Sequence, residues 1–318
     1  MSFVGGGSDL PVFARRFGGA VVSTAIDQFV YVTVNPKFDE KIRVSYSRTE
    51  EARSVDRIRH PLVREAMRLL RIDGGIEITS IADIPAKGTG LGSSSSFTVG
   101  LLHALHAYAE RYASAEQLAR QACEIEIERC GEPIGRQDQY AAAFGGLNFI
   151  QFHPDDSVTV EPIICRRETI RQLQAHLLTF YTGLTRSAAS ILHQQQGAVA
   201  SERKKQAVMR RMVALAHQLW RELQQNRVAA FGEIIHENWL LKKSLARGIS
   251  NERIDDWYAR ARQAGALGGK LLGAGAGGFL MFYAPPERHD AIARALPRLR
   301  RMDFHFEPQG SRIIFVHH

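Results

Sequence analysis

Residues 85–96 read Pro-Ala-Lys-Gly-Thr-Gly-Leu-Gly-Ser-Ser-Ser-Ser and join a predicted strand, 76–81, to a predicted helix that begins near residue 94. Glycines let backbone N–H groups turn towards an anion, and the start of a helix adds positive potential. The serine hydroxyls add ligands for phosphate or Mg²⁺. The stretch therefore predicts a phosphate-binding loop. It is not a Walker A motif, since no Gly-Lys-Ser/Thr sequence ends it. A flexible Gly/Ser loop is the alternative, which the apolar helix that follows disfavours.

A second glycine-rich stretch, 268–278, contains a formal G-x-G-x-x-G match at Gly273, Gly275 and Gly278. A dinucleotide-binding site needs a strand before this motif and a helix after it. Here the apolar residues 279–283 predict a strand. We therefore interpret the stretch as a loop that shapes an active-site wall. A nicotinamide-dependent enzyme remains the alternative, which NAD titration would test.

Acidic residues form the third motif. Glu124 and Glu128 are four residues apart on one face of a predicted helix, 114–129, and Glu126 points away from them. One of these carboxylates could bind Mg²⁺, although a solvated acidic face explains any single glutamate more simply. Asp138 follows a Gly/Pro turn, where a carboxylate could orient or deprotonate a hydroxyl nucleophile. A helix N-cap is an equally good interpretation of Asp138.

A glycine turn, Gly5-Gly-Gly-Ser-Asp9, stands near the beginning of the chain. Its glycines allow the backbone to approach a ligand closely, and Asp9 can accept hydrogen bonds from sugar hydroxyls. By itself this signal is weak, and a plain turn explains it as well.

Composition limits the partners of this 318-residue chain, which carries a formal net charge of +8. Its basic clusters lie in predicted helices and lack the interleaved aromatic residues that stack on bases, so we expect no nucleic-acid partner. No run of 18 apolar residues occurs, so we expect no membrane partner. The three cysteines lack metal-site spacing, and a cytoplasmic location is predicted. We leave room for a homodimer.

Strands and helices are predicted in mixed order. β-Branched residues at 20–34 predict two strands with a turn near Asp27. Further strands are predicted at 42–46, 147–152, 176–181 and 313–316, and helices at 61–70, 187–226, 227–247 and 255–264. Mixed elements without strict alternation indicate an α+β fold in two lobes. The predicted boundary lies near residue 165, giving domains 1–165 and 166–318.

In this order along the chain, the motifs resemble those of the GHMP kinase superfamily. Residues 85–94 are similar to its P-x-x-x-G-L-G-S-S loop, with one extra residue before Gly90, and residues 270–278 are similar to its C-terminal glycine motif. The match is closest to the sugar-phosphate branch that includes heptose 7-phosphate kinases. Residues 3–9, 135–146, 181–187 and 242–244 support it. Gly6 and Gly7 replace the Glu and His of galactokinases, which counts against galactose.

The resemblance implies a two-lobed fold, with an N-terminal lobe like domain 2 of ribosomal protein S5 and a ferredoxin-like C-terminal lobe. It implies ATP and Mg²⁺ as cofactors, with Asp138 as the catalytic residue and with Ser94 and Glu128 as metal ligands. The residues expected to bind ATP are Pro85, Lys87, Gly88, Gly90, Leu91, Gly92, Ser93, Ser94, Ser95 and Gly275. The residues expected to bind the sugar phosphate are Gly6, Gly7, Ser8, Asp9, Thr185 and Arg186.

Arg186 is our candidate for the substrate's own phosphate, because a guanidinium binds phosphate with two hydrogen bonds. A surface arginine in a strand-to-helix turn is the alternative. The expected reaction is transfer of the ATP γ-phosphoryl group to the anomeric hydroxyl of a heptose 7-phosphate. Two alternatives stay open: a kinase of another sugar, such as galactose or fucose, and a non-catalytic sugar sensor. Relatives usually carry an arginine just before the segment that begins here at Met1. The sequence starts after that position and does not include the arginine, which makes the sensor interpretation more plausible.

Overall fold

The structure is a computed structural model that describes residues 1–84, 89–184 and 188–317. Its strands are β1 Ser2–Val4, β2 Gly19–Thr24, β3 Val30–Pro36, β4 Ile42–Ser45, β5 Thr49–Ala52, β6 Ile76–Ala82, β7 Leu147–Phe152, β8 Val158–Pro162, β9 Leu177–Tyr181, β10 Gly268–Leu271, β11 Phe279–Tyr283 and β12 Arg300–Met302.

The helices are α1 Pro11–Phe17, α2 Pro61–Leu70, α3 Ser93–Tyr108, α4 Ala115–Cys123, α5 Gln137–Phe144, α6 Arg167–Ala175, α7 Ala188–Ser201, α8 Arg203–Gln224, α9 Phe231–Lys243, α10 Glu252–Gln263 and α11 His289–Ala295. A π-helical turn, Glu124–Arg129, continues α4. Among the described residues, no helix combines the length and the apolar character needed to cross a membrane.

The described chain forms two compact units. The first comprises residues 1–27, 89–91 and 146–308. Two antiparallel sheets lie within it, with strand orders β1-β2-β7-β8 and β10-β11-β9-β12. Helices α8 and α9 pack against the sheets through fully buried side chains such as Leu219 and Trp239. This unit therefore has its own apolar core.

The second unit comprises residues 28–84, 92–145 and 309–317. Its sheet has the order β3-β6-β4-β5, in which β4 and β6 are parallel and the other pairs antiparallel. Pro61 at the first position of α2 fits a helix start, because proline lacks the N–H that would be unpaired there. The Ser114 hydroxyl accepts a hydrogen bond from the Gln117 N–H at 3.1 Å and so caps α4.

The predicted α+β fold class is confirmed. The compact units nevertheless differ in range from the predicted domains 1–165 and 166–318. The physical reason is that β2, near the beginning of the chain, pairs along its whole length with β7, so that residues 1–27 join the unit of residues 146–308. The predicted strand at 313–316 is wrong, since no described residue pairs with this segment as a strand.

Candidate active site

Helix α3 begins directly after the first glycine loop, within the second unit. Gly92 precedes the helix, and its carbonyl oxygen accepts a hydrogen bond from the Ser96 N–H at 2.9 Å. The first N–H groups of a helix have no partner inside it and attract anions. The start of α3 therefore has the polarity that a phosphate loop requires. Pro85, Lys87 and Gly88, which are predicted to bind ATP, lie outside the described residues.

The predicted catalytic residue, Asp138, lies in the first turn of α5 and is exposed. A Cβ built on Gly92 would lie 3.1 Å from Cγ of Asp138 and 3.3 Å from its Oδ1. The carboxylate therefore packs against the residue that precedes α3, at the positive end of the helix dipole. The residue at the N-cap of α5 is Arg136, so Asp138 does not occupy the N-cap. Its catalytic role stays a prediction.

A buried carboxylate lies beside the serines of this helix start. Glu126 is only 1% exposed. It accepts hydrogen bonds from the hydroxyls of Ser94 at 2.9 Å, Ser95 at 2.8 Å and Thr98 at 3.1 Å, and from the Gln139 amide at 2.5 Å. We call these five side chains the Glu126 cluster. The cluster ties the π-helical turn to the first turns of α3 and α5.

Burial raises the pKa of the Glu126 carboxyl, because the charged form loses its contact with water. The four donors oppose this shift, since their hydrogen bonds stabilise the carboxylate. The Glu126 carboxylate is therefore an oxygen ligand whose negative charge the four neutral donors stabilise only in part. A divalent cation would complete that compensation.

The structure does not bring Glu128, the predicted metal ligand, to Ser94. Glu128 is exposed at the end of the π-helical turn, and Glu124 pairs with Arg129 at 2.6 Å. The carboxylate beside Ser94 belongs to Glu126. The sequence predicts that this residue points away from Glu124 and Glu128. Glu128 as a ligand stays a prediction, and the geometry favours Glu126.

Sequence patterning held the signal for Glu126. The buried face of α4 contains Leu118, Ala119, Ala122 and Cys123. Residue 126 is four positions after Ala122 and three after Cys123, so it continues that face. A glutamate on an apolar face must be hydrogen-bonded or must bind a ligand. A comparison of the glutamates with each other does not reveal that Glu126 is buried, whereas a comparison with the preceding apolar residues does.

The two glycine loops meet within the first unit, backbone against backbone. A Cβ built on Gly90 would lie 2.4 Å from the Leu272 carbonyl oxygen, and one built on Gly273 would lie 2.4 Å from the Gly90 Cα. Both glycines have positive φ, +73° and +76°. Lys242 is buried, with 5% of its surface exposed, and its Nζ donates a hydrogen bond to the Gly273 carbonyl oxygen at 2.6 Å. The sequence interpretation did not single out this lysine as a site residue.

Other predicted ATP-binding residues lie close to these loops in the chain. Leu91 packs against the apolar core of the first unit, and Ser93 is the buried first residue of α3. Gly275 lies against the backbone of Ile249, which would be 2.8 Å from an added Cβ. Their contact with ATP stays a prediction.

The predicted sugar-binding turn, 5–9, is buried within the first unit. The Ser8 hydroxyl accepts from the Ala20 N–H at 3.0 Å and donates to the Ala20 carbonyl oxygen at 3.2 Å, so it fixes the turn to β2. Oδ1 of Asp9 accepts from the Gly7 N–H at 2.9 Å. Gly6 is buried in the same turn. Thr185 and Arg186 lie outside the described residues.

Two family models match this chain. Residues 61–146 match the family model described as GHMP kinases N terminal domain, and residues 219–300 match GHMP kinases C terminal. The D-glycero-alpha-D-manno-heptose 7-phosphate kinase of Campylobacter jejuni is 28% identical, over 98% of this chain and 96% of that protein.

Two solved structures extend the comparison. A D-glycero-D-manno-heptose 1-phosphate kinase from Bacteroides thetaiotaomicron superimposes with a TM-score of 0.79 at 27% identity, covering 98% of this chain and 94% of that one. The Lactococcus lactis galactokinase complexed with galactose also gives a TM-score of 0.79, covering 98% of this chain and 92% of that one. At 16% identity, the second comparison concerns the fold alone.

Proposed function

We propose that this protein, which belongs to the GHMP kinase family, is a sugar kinase that phosphorylates the anomeric hydroxyl of D-glycero-D-manno-heptose 7-phosphate and so forms the 1,7-bisphosphate. The two family models together match more than half of the chain, and the family makes it a phosphotransferase with an alcohol group as acceptor. GHMP kinases use ATP as the phosphate donor. The observation that carries the proposal is the Glu126 cluster, which lies at the start of α3 with Asp138 against Gly92.

The nucleotide is assigned to the first glycine loop. The N-terminal end of α3 offers N–H groups that have no partner inside the helix, and Gly92 itself adds no side chain there. Gly90 and Gly275 are assigned to the same function, together with Leu91, Ser93, Ser94 and Ser95. Two features support the fit to a triphosphate. They are the positive end of the α3 dipole and the backbone of the loop glycines, which have no side chains.

The donor set also fits Mg²⁺, which binds oxygen ligands and is commonly held by one or two carboxylates plus phosphate oxygens. We assign the ion to the Ser94 hydroxyl and the Glu126 carboxylate, with Glu128 as the alternative carboxylate. Among the residues that the structure describes, no group of three or more His, Cys, Asp and Glu side chains could hold a metal. The triphosphate and water would therefore supply the remaining ligands. Bound Mg²⁺ would neutralise charge on the phosphates.

Asp138 is assigned to the acceptor hydroxyl. Its carboxylate accepts the hydroxyl proton, or orients that hydroxyl, while the hydroxyl oxygen forms the new bond to phosphorus and the bond from phosphorus to ADP breaks. Arg186 and Thr185 are assigned to the substrate's own phosphate, and Gly6, Gly7, Ser8 and Asp9 to the sugar.

The choice of a heptose 7-phosphate is supported by the near full-length match to the Campylobacter jejuni kinase. The name of the Bacteroides structure specifies a heptose 1-phosphate instead. A transfer to the anomeric oxygen needs that position to be free in the acceptor, so we commit to the 7-phosphate. A kinase of galactose or fucose is the alternative within the fold.

A coupled ADP-release assay with MgATP tests the proposal over a panel: heptose 7-phosphate, mannose 6-phosphate, galactose, fucose and mevalonate. We expect turnover that is highest with heptose 7-phosphate. Asp138→Asn should lower kcat by about 10²–10⁴-fold while it keeps the fold, because the side chain is exposed. Asp73→Asn, at another exposed aspartate, is the matched control and should keep full activity.

Turnover only with galactose or fucose would replace the proposed acceptor. Binding of ATP without turnover on any sugar, in the wild type and in Asp138→Asn alike, would indicate the non-catalytic sensor.

A further inference from the structure

A buried amide faces the predicted sugar-binding turn, and its nitrogen has no hydrogen-bond partner among the described residues. Gln195 lies on α7 and is 1% exposed. Its Nε2 is among the buried side-chain atoms that no described group satisfies. A Cβ built on Gly7 would lie 2.5 Å from this Nε2 and 3.7 Å from Cε of Met209. The amide nitrogen therefore packs directly against the backbone of Gly7.

An unpaired buried donor costs free energy, because it has lost its hydrogen bond to water and gained no other. Most buried polar groups in proteins are paired, so each exception needs an explanation. Asn238 also approaches the turn, and its Oδ1 accepts from the Gly5 N–H at 3.1 Å, although its Nδ2 likewise has no partner among the described residues. The Asn238 oxygen thus fixes the turn, whereas the Gln195 nitrogen holds no described group.

We propose that Gln195 is a substrate-binding residue whose Nε2 donates a hydrogen bond to a hydroxyl oxygen of the sugar. This inference rests on the proposed function, which assigns the sugar to Gly6, Gly7, Ser8 and Asp9. The donor lies against Gly7, the central residue of that turn. Binding of the sugar supplies the acceptor that the described residues do not provide.

A hydroxyl oxygen suits this position better than a phosphate oxygen. Desolvation of a phosphate dianion is compensated by cationic donors such as arginine or lysine. The Gly7 backbone against which Nε2 packs carries no charge, and its N–H donates to the Asp9 carboxylate at 2.9 Å, so a phosphate anion here would be repelled. A neutral amide in such surroundings suits a neutral acceptor. Gln195 thereby contributes to recognition of the sugar and not of its phosphate.

The test is Gln195→Met, which keeps the length of the side chain and removes the donor. Gln194→Met is the matched control, because Gln194 is the preceding residue of α7 and is exposed. Calorimetry measures the Kd of heptose 7-phosphate in the presence of Mg²⁺ and a non-hydrolysable ATP analogue. Steady-state kinetics in the same variants measures KM for the sugar phosphate and for ATP.

We expect Gln195→Met to weaken sugar-phosphate binding by about 2- to 12-fold, the value of one neutral hydrogen bond. KM for the sugar phosphate rises by a similar factor, and KM for ATP is unchanged. The thermal midpoint of the free variant stays equal to that of the wild type or rises, because the unpaired donor is gone. A purely structural glutamine would show the opposite, a lower midpoint.

Equal sugar Kd in the wild type and Gln195→Met overturns the inference and leaves the proposed function standing. The same holds for a lower thermal midpoint with unchanged Kd. Gln195→Ala is the second variant, because it leaves space instead of filling it, and it must show the same weakening. A wild type that turns over another sugar and does not bind heptose 7-phosphate contradicts the proposed function together with the inference.

Discussion

Glu126 illustrates what one residue contributes to the site. A carboxylate that is 1% exposed loses nearly all its hydration, and four neutral donors replace part of it. Such a group is better explained by a ligand than by stability alone, because uncharged side chains could fill the same volume at lower cost. The donors come from α3, which follows Gly92, and from α5, which carries Asp138.

The metal assignment predicts different behaviour for two glutamates. Glu126→Gln removes the ionised ligand, so we expect the Mg²⁺ concentration for half-maximal activity to rise by about 10-fold or more. Glu128→Gln changes an exposed side chain and should leave that concentration unchanged. Titration of ADP release with Mg²⁺ measures both. The reverse result, with Glu128→Gln affected and Glu126→Gln not, would support the ligand predicted from the sequence.

Stability should depend on pH through the same carboxyl. Since burial raises the pKa of Glu126 in the folded state above its usual 4.5, the folded state holds the proton to higher pH than the unfolded state. The free energy of unfolding therefore falls as pH rises from about 4.5 through the raised pKa. The free energy of unfolding of Glu126→Gln does not fall in this way. The thermal midpoint of the variant, relative to that of the wild type, should therefore rise towards neutral pH. A midpoint difference that is the same at every pH would contradict the shift.

Residues differ in how far the sequence could predict them. For Asp138, the residue pattern alone left a helix N-cap as an equally good interpretation, and the catalytic prediction came from the family resemblance. Glu126 required the burial pattern of the preceding helix. Gln195 could not be predicted, because it stands in a run of three glutamines and only the packing of α7 distinguishes the buried one.

Two elements explain how the loops are held in place. The π-helical turn after α4 is of a rare kind that is frequently found at functional sites, and it carries Glu126. The glycine loops around Gly90 and Gly273 touch through their backbones, which only residues without a Cβ allow. Local signals predicted α2 and α4 well, since proline and serine mark their starts. The contact between the loops joins distant parts of the chain and had no local signal.

The loop contact predicts opposite effects of two glycine-to-alanine changes. Gly273→Ala places a Cβ 2.4 Å from Gly90 in a backbone conformation with φ of +76°, so it should destabilise the protein by roughly 1–3 kcal/mol and raise KM for ATP. Gly197→Ala, in the interior of α7 with nothing within 4 Å of the added Cβ, should stabilise it by about 0.5–1 kcal/mol. Denaturant unfolding measures both. Equal stability of Gly273→Ala and wild type would disprove the contact.

For the whole molecule, the order along the chain differs from the order in space. Pairing of β2 with β7 brings residues 1–27 into the unit of residues 146–308, and residues 309–317 return to the unit that contains α5. Composition and local pattern were sufficient for the α+β class. They could not give these ranges, because pairing between distant segments depends on side-chain packing and not on local propensity. The apolar segment 313–316 was predicted as a strand for the same reason, since propensity does not reveal whether a partner strand exists.

The last residues should stabilise the second unit through only part of their length. Gly310 packs against Ala143 of α5, and the Ser311 N–H donates to the Ala142 carbonyl oxygen at 3.0 Å. Removal of residues 309–318 should therefore cost roughly 1–3 kcal/mol and lower activity, because α5 carries Asp138. Removal of 313–318 should change neither, as Ile314 and Phe315 are 74% and 77% exposed. Identical unfolding curves for the two truncations would contradict this account.

The most direct test of the central claim is to identify the product. The protein is incubated with MgATP and heptose 7-phosphate, and the product is examined by phosphorus NMR. We predict one new phosphate signal coupled to the anomeric proton, retention of the original 7-phosphate signal, and one ADP formed for each product molecule. Release of inorganic phosphate alone, or a phosphoryl group on any other carbon, would contradict the proposed reaction.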